Sequence, residues 1–566
     1  MNAKSLYFLL FSASLLHAQS AADKTAYEVT FQNNTKTSTS YTVPYAQGGG
    51  LSSQTLLEIT RYSNVALQNN STISTKTLEA GSSVGNRLEA DAYSYGGAIY
   101  STESVHITNN TNVDFSNNYA QSSTSAKTIK GYTAEAFSYS AGGAIYSTSN
   151  IELLNNGTVT FCNNYVDASS YAAATGSTTA SGVDFGSSAQ GAAIFTTGTL
   201  NISGNSSVLF EKNYEKTKEG NADTVYLLRS IHLESADELT LSAKNKGDIT
   251  IYDSLYMKHK TNAIVSLNAD FKDVDGVTQK ATGDIIFSGK YTADHLKEIK
   301  GGIAGTDTEI SNSQTSALLN TVTLHAGTLR VEDKAVLKTQ ELNVAANGDA
   351  TVRITDATIN AGAYSVNVNN TGTLILGGTN GSSKLTALNT DIRKGATLSV
   401  ENTTSDTRAV ITLTGPDSES CFNEKLGGTV SGNLNMAAGS TYKADGAHLS
   451  VTNGALTLNA TSDTKINLVL TLLAQYEEDS KVMLFTDVNT VEFILDNLST
   501  SKNGIAISLN AADYFCGDWI NESTALVYDG SSVYVTGVNR VIPEPATATM
   551  TWLALAALAA RRRRRG

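Results

Sequence analysis

The stretch Gly96 to Tyr119, GGAIYSTESVHITNNTNVDFSNNY, decides the fold, because close copies of it stand at Gly48 to Ser71, Gly142 to Tyr165 and Gly191 to Tyr214. Taking the apolar residue after the glycines as position zero aligns Leu51, Ile99, Ile145 and Ile194, which are 48, 46 and 49 residues apart. Six residues on stand Leu57, Val105, Ile151 and Leu200; eight on, Ile59, Ile107, Leu153 and Ile202. Fourteen on stand Val65, Val113, Val159 and Val208, and sixteen on Leu67, Phe115, Phe161 and Phe210. Offsets two apart put both side chains on one face of a strand. Polar runs such as Thr108 to Asn112 separate the pairs, and Asn tolerates the left-handed backbone of a tight bend. Each copy therefore reads as three short strands, one rung of a right-handed parallel β-helix. A single rung cannot bury its inward face, so the copies must stack.

Stacking turns each offset into a ladder. Phe115, Phe161 and Phe210 form an inward aromatic ladder, and Asn70, Asn118, Asn164 and Asn213, all at offset nineteen, form an amide ladder that satisfies backbone groups of the turn. The Ser, Thr, Ala and Gly-rich stretches between copies, 72 to 95, 120 to 141 and 166 to 190, contain few large apolar residues. They read as protruding loops, with Tyr93, Phe137, Tyr139 and Phe185 docking their ends. Shortening residues 166 to 190 is expected to leave the stack intact, and loops gathered on one face of a solenoid are its usual binding surface.

The ends supply an address. Lys4, the apolar run Leu6 to Leu16 and small residues at Ala18 to Ala22 have the order of a secretory signal peptide over residues 1–22. The last 26 residues, VIPEPATATMTWLALAALAARRRRRG, combine Pro543-Glu544-Pro545, an apolar run Ala546 to Ala560 and the basic cluster Arg561, Arg562, Arg563, Arg564 and Arg565. Fifteen apolar residues are short against the roughly 20 a membrane helix needs, but snorkelling or local thinning closes such a gap. The arginines hold the terminus on the cytoplasmic side. This tail, 541–566, resembles the PEP-CTERM sorting signal of exported bacterial proteins. The resemblance implies an exosortase-type membrane protease as partner, removal of the tail, and delivery to the cell surface, outer membrane or extracellular matrix.

The paired GGAI and F-x-x-N elements, Gly96 to Ile99 with Phe115 to Asn118 and Gly142 to Ile145 with Phe161 to Asn164, look like the repeats of chlamydial polymorphic outer membrane proteins, autotransporter-type adhesins with β-helical passengers. The first copy departs at Gly50, Leu51 and Leu67, and the fourth at Ala192. The expected organisation is a lead-in at 23–45, the repeat β-helix at 46–220, an autotransporter-like middle segment at 221–310 with a short helix from Ala293 to Lys300, a weaker solenoid at 311–470, and a β-rich cap at 471–540 carrying Trp519, Tyr528 and Tyr534. About 70 residues cannot build the multi-stranded barrel that ends an autotransporter, so the sorting tail stands in its place.

Composition narrows the chemistry. With 40 Lys+Arg against 53 Asp+Glu and a formal charge of −13, the chain lacks the basic excess that nucleic-acid binding requires. Cys162, Cys421 and Cys516 are odd in number and far apart, which is neither a disulfide framework nor a zinc spacing; they read as semi-buried fillers. Parallel β-helices also serve polysaccharide lyases and hydrolases, which need clustered carboxylates. Here Glu58, Glu103, Asp114, Glu152 and Glu211 share no single offset; His106 falls between inward residues and so points outward, and His232 and His325 stand alone. No catalytic motif, cofactor site or metal site is expected. The sequence thus favours a non-enzymatic surface protein that meets cell-surface or matrix glycans or a host surface; a carbohydrate-active enzyme is the alternative.

Overall fold

The computed structural model describes residues 28–39, 44–79, 87–129, 133–175, 183–258, 263–290, 315–378, 382–401, 421–422, 426–445, 447–470, 481–518 and 520–538. The expected helix at 293–300, Trp519, the signal segment and the sorting tail lie outside them. No helix among the described residues is long and apolar enough to cross a membrane.

The chain is all-β and solenoidal. In the second copy Ile99–Ser101, Val105–Thr108 and Asn112–Ser116 are the three short strands. Each pairs in parallel with its counterparts in the copies before and after. Ile99 lies between Leu51 and Ile145, Val105 between Leu57 and Ile151, and Phe115 between Leu67 and Phe161. The inward columns at offsets 6, 8, 14 and 16 are fully buried, Leu57 excepted, which is partly buried against the core. Bends fall where Asn69, Asn109, Asn117, Asn155 and Asn163 adopt φ values of 54 to 60°, as the Asn-rich runs require.

One 14-stranded parallel sheet runs from Glu28–Gln32 to Phe515–Cys516, and one hydrophobic core runs with it from Leu51 to Val538. The stack therefore continues through the described residues 221–258 and 263–290 and resumes beyond 315, although the glycine signature ends at the fourth copy. At the far end parallel pairing gives way to antiparallel pairing. Thr490–Leu495 folds against Leu498–Asn503, and Ala525–Tyr528 lies between Ile507–Asn510 and Val533–Thr536. The buried Tyr528 hydroxyl lies 2.9 to 3.0 Å from the carbonyls of Val488, Asn489 and Gly530 and accepts the Gly504 N–H. This reversal closes a solenoid end that would otherwise expose an edge to aggregation.

The described parts of the stretches between copies are strands rather than loops. Tyr119–Ile129 leads away from the solenoid and Thr133–Ala141 returns, and the other copies do the same with Ser71–Glu79 and Arg87–Tyr95, and with Tyr165–Thr175 and Val183–Gln190. The outgoing strands join a 6-stranded sheet and the returning strands a 4-stranded sheet. The two pack face to face as a flat fin. Its interior is built from small side chains: Ala90, Ala126, Ala134, Ala136 and Ala172 in one cluster, Ala120, Val166, Ala168 and Ala189 in another. Hydroxyls cross the gap to carbonyls of the opposite sheet, Ser94 Oγ to Thr72 O at 2.8 Å, Ser138 Oγ to Ser169 O at 2.6 Å and Ser140 Oγ to Asp167 O at 2.8 Å. Such short bridges require sheets closer than the roughly 10 Å of ordinary face-to-face packing.

The glycine pair serves the junction of fin and solenoid. A Cβ on Gly49, Gly97 or Gly143 would meet the carbonyl oxygen of the next copy at 2.0 to 2.2 Å. The fourth copy carries Ala192 because no glycine pair follows it; its N–H bonds instead to the Arg229 carbonyl.

Two outcomes are expected. Phe161→Asp buries an unpaired charge in a packed column and should cost about 4 kcal/mol or more, and an unchanged melting temperature would refute the column. Ala136→Leu forces a larger side chain between the fin sheets and should cost about 1–3 kcal/mol. Residues 166–175 and 183–190 lie in paired strands of the fin rather than in a dispensable loop, so shortening the 166–190 stretch should lower the melting temperature as well.

Candidate binding surface

The ladder residues come together as columns. Phe115, Phe161 and Phe210 stack at 4.7 Å with interplanar angles of 0° and 1°, one rung apart and fully buried. In the asparagine ladder, Asn70, Asn118 and Asn164 each give their backbone N–H and their Nδ2 to the Oδ1 of the next asparagine, at 2.9 to 3.1 Å. Each Nδ2 also donates to a carbonyl, Asn118 to Leu67 and Asn164 to Phe115. With every hydrogen-bonding position spent inside the stack, these amides hold the structure together and face no ligand.

A second amide ladder stands at offset eleven. Asn110 and Asn156 bond onward to Asn156 and Asn205 in the same way, and the Tyr62 N–H bonds to Asn110 Oδ1 at 2.9 Å. Sequence reading passed over it because Tyr62 breaks the column in the first copy, leaving the asparagines to look like turn residues.

Where the repeat stops, carboxylates replace the missing partners. Asn213 gives its N–H and its Nδ2 to Asp253 Oδ2, both at 2.9 Å, and Ser230 Oγ adds a third bond at 2.7 Å. Gly96 and Gly142 donate their N–H to the carbonyls of Ala141 and Gln190; Gly191 has no such carbonyl and donates to Glu215 Oε1 at 2.7 Å. Ser187 N likewise donates to Glu219 Oε1 at 2.8 Å. Arg229 Nη1 meets Glu215 Oε2 at 2.9 Å. Burial pushes the Glu215 carboxyl up to about 7, against the lowering influence of Arg229 and Gly191, and pushes Asp253 up to about 6 against its three hydrogen bonds.

Beside these terminators the outer faces of fin and solenoid meet in a corner lined with rings. The solenoid wall carries Tyr100, Tyr146 and Phe195, stacked at 5.4 and 5.0 Å with angles of 7° and 3°, then His232 and Tyr256 at 5.4 and 4.8 Å. The fin wall carries Tyr45, Tyr93 and Tyr139 at 4.9 and 6.4 Å. Tyr95 joins the walls, 6.3 Å from Tyr100, 5.6 Å from Tyr139 and 4.6 Å from Tyr146. Rings from both walls converge on it. Burial among the rings, reinforced by neighbouring phenols, raises Tyr95 far above the usual phenol range and Tyr146 to about 12. The hydroxyls therefore stay protonated and act as neutral donors and acceptors.

The corner ends in charge. Arg229 lies 4.9 Å over the Tyr256 ring, and Glu234 pairs with His232 Nε2 at 2.9 Å and with Lys258. Burial holds His232 down to about 4, so its imidazole is neutral at physiological pH. Glu215 and Arg229 line a small cleft with Ser187, Ser188, Gln190 and Thr217. His106 faces outward, 3.5 Å from Glu152, and His325 takes a hydrogen bond with Asn347. Cys162 is half-buried, its thiol pushed up to about 11 by burial, while Cys516 is exposed; neither is in a disulfide. Among the described residues no group of three His, Cys, Asp or Glu side chains is placed to hold a metal. Pro543, Glu544, Pro545 and Arg561 to Arg565 lie outside the described residues.

A pH dependence follows from the terminators. Glu215 and Asp253 bind a proton more readily folded than at their ordinary values of 4.5 and 3.8. The stability this linkage supplies is fully present below about pH 4 and is lost as pH rises through about 6 to 7. The melting temperature should therefore fall between pH 5 and pH 8, and Asp253→Asn, which continues the amide ladder without a buried charge, should flatten that slope and raise the melting temperature at pH 8. An identical slope in the variant would show that Asp253 titrates elsewhere.

No family model matches the chain, and no curated protein or solved structure matches it either.

Proposed function

We propose that the protein is exported and displayed at the cell surface, in the outer membrane or in the extracellular matrix, where its right-handed β-helix serves adhesion or contact with surface glycans and exopolysaccharide without catalysis. The observation that carries this reading is the aromatic corner, in which two short rows of rings, Tyr45, Tyr93 and Tyr139 on the fin and Tyr100, Tyr146 and Phe195 on the solenoid, run side by side along the axis. Extended repeated surfaces of this kind are what solenoids use for binding. The secretory order of residues 1–22 and the Pro-Glu-Pro, apolar and arginine elements of 541–566 supply the route. On the PEP-CTERM resemblance, an exosortase-type protease is the partner that removes the tail, and the membrane is engaged through the C-terminal segment before processing.

One observation favours the second reading, a carbohydrate-active enzyme: Glu215 has a carboxyl near 7 beside a polar cleft, the range a general acid needs. Both of its oxygens are occupied, one by the Gly191 N–H and one by Arg229. Its raised value is thus explained by its place at the end of the fin, and the non-catalytic reading is preferred.

In the producing bacterium, the mature protein should lack the segment after Pro545 by intact mass and should be removed from whole cells by external protease. Replacing Arg561 to Arg565 with alanine should leave the tail uncut. An intact tail on protein that external protease cannot reach would refute the proposal, and sugar-end release by the purified protein that Glu215→Gln abolishes would establish the enzyme instead.

A further inference from the structure

We infer that the corner binds a neutral, extended polysaccharide whose chain lies along the solenoid axis, held by the hydroxyl edges of Tyr93, Tyr95, Tyr100 and Tyr146. This deepens the surface-binding reading and rests on it.

The first ground is unmet hydrogen-bonding capacity. Tyr139 donates to Gln190 Oε1 at 2.6 Å, but among the described residues the hydroxyls of Tyr93, Tyr95, Tyr100 and Tyr146 have no protein partner, and none of them is sealed from solvent. Four phenols, half-buried or more yet open at their hydroxyl tips, ask for partners from outside, and a buried tyrosine normally finds one.

The second ground is periodicity. Tyr100 and Tyr146 lie one rung apart, so the solenoid wall offers the same free hydroxyl on two successive steps along the axis, and the free hydroxyl of Tyr93 stands on the fin one rung before Tyr139. A linear polymer of identical units satisfies such a surface; a compact ligand uses one step of it. At the N-terminal end Tyr45 is 52% exposed and stacks on Tyr93 through one face only, leaving the other free for the C–H face of a sugar ring.

The third ground is charge. Asp91 and Glu89 stand near Tyr93 on the fin, and Arg229 pairs with Glu215 and Lys258 with Glu234 at the far end. From Tyr95 through Tyr100 and Tyr146 to Phe195 every side chain in the ring contacts is uncharged. An acidic polymer would find no free cation there. Nor does the corner suit an extended peptide. Ile99–Ser101, Ile145–Ser147 and Thr133–Ala141 are each paired on both sides, so no strand edge is open to a further chain.

Affinity electrophoresis of the purified mature protein tests this. Gels are cast with neutral polysaccharide from the producing cells' matrix, with the neutral plant polymers xyloglucan and galactomannan, or with the acidic polymers alginate and polygalacturonate. Retardation in a neutral gel of either source is expected, with Tyr95→Phe and Tyr146→Phe each weakening it about three- to tenfold, the loss of one hydrogen bond. Both variants keep the ring, so their melting temperatures should match the parent. Tyr165→Phe, on the opposite face of the fin, should bind as the parent does. No retardation by any neutral polymer, retardation indifferent to Tyr95→Phe and Tyr146→Phe, or retardation by the acidic polymers alone would each overturn the inference. Protease shaving of whole cells reports the surface reading separately, so a displayed protein that ignores neutral glycans refutes this inference and leaves that reading standing.

Discussion

In-register parallel pairing between successive rungs is the constraint on which the rest of the structure depends. The backbone fixes the rung-to-rung distance at strand spacing, and every side-chain column inherits it. At that distance identical rings stack face to face and identical amides reach one another, so a repeated Phe or Asn gains a partner from each neighbouring copy. The same rule acts on three unlike surfaces. In the core it yields Phe115 on Phe161 on Phe210, in the turns Asn118 on Asn164 on Asn213, and on the outer face Tyr100 on Tyr146 on Phe195.

A ladder built by repetition has a problem at its last member, which carries donors meant for a copy that does not come. The chain meets it with carboxylates. Asp253 accepts what a further asparagine would have accepted, and Glu215 and Glu219 take N–H groups that would otherwise go to strand carbonyls. An unsatisfied buried N–H costs about as much as a lost hydrogen bond, and a charge-assisted acceptor is a strong replacement. The cost is desolvation of the carboxyl, which appears as the raised values of Glu215 and Asp253. Perturbed acids often mark catalytic sites; here the positions of Glu215 and Asp253 at the ends of two ladders account for them.

How much was legible follows from what hydropathy can see. Columns filled by Val, Ile, Leu and Phe, and the asparagine column at offset nineteen, could be counted directly, and the register matches residue for residue. The fin was missed for a physical reason. Its buried face is Ala, Ser and Thr, so Tyr119–Ile129 and Thr133–Ala141 alternate small with large rather than polar with apolar. The alternation was present in TAEAFSYSA, with Ala134, Ala136, Ser138 and Ser140 on one side, but a search for large apolar residues passes over it. The terminators escaped because their meaning lies in the absence of a following copy. Glu215 stands where earlier copies have Ala120 and Val166, and only the three-dimensional end of the fin explains the change.

The corner follows from the fin being made of strands. A flexible loop would leave Tyr93, Tyr95 and Tyr139 in no fixed relation to Tyr100 and Tyr146. Strands that pair across three copies instead carry them into the solenoid at one angle, set by glycines such as Gly96 and Gly142 with φ of 63° and 64°. Because the bend recurs from copy to copy, Tyr93 and Tyr139 on the fin run beside Tyr100 and Tyr146 on the solenoid, and Tyr95 of the second copy joins the two rows. The small interior of the fin contributes as well: Ala and Ser pack two sheets tightly enough to make a stiff plate without large apolar residues, which frees the tyrosines for the outer face. Rigid aromatic side chains offer large contact area at low entropic cost, and they bind best when their backbone is already fixed. The feature least visible to hydropathy, an alanine and serine interior, is thus what pre-organises the surface on which the functional reading rests.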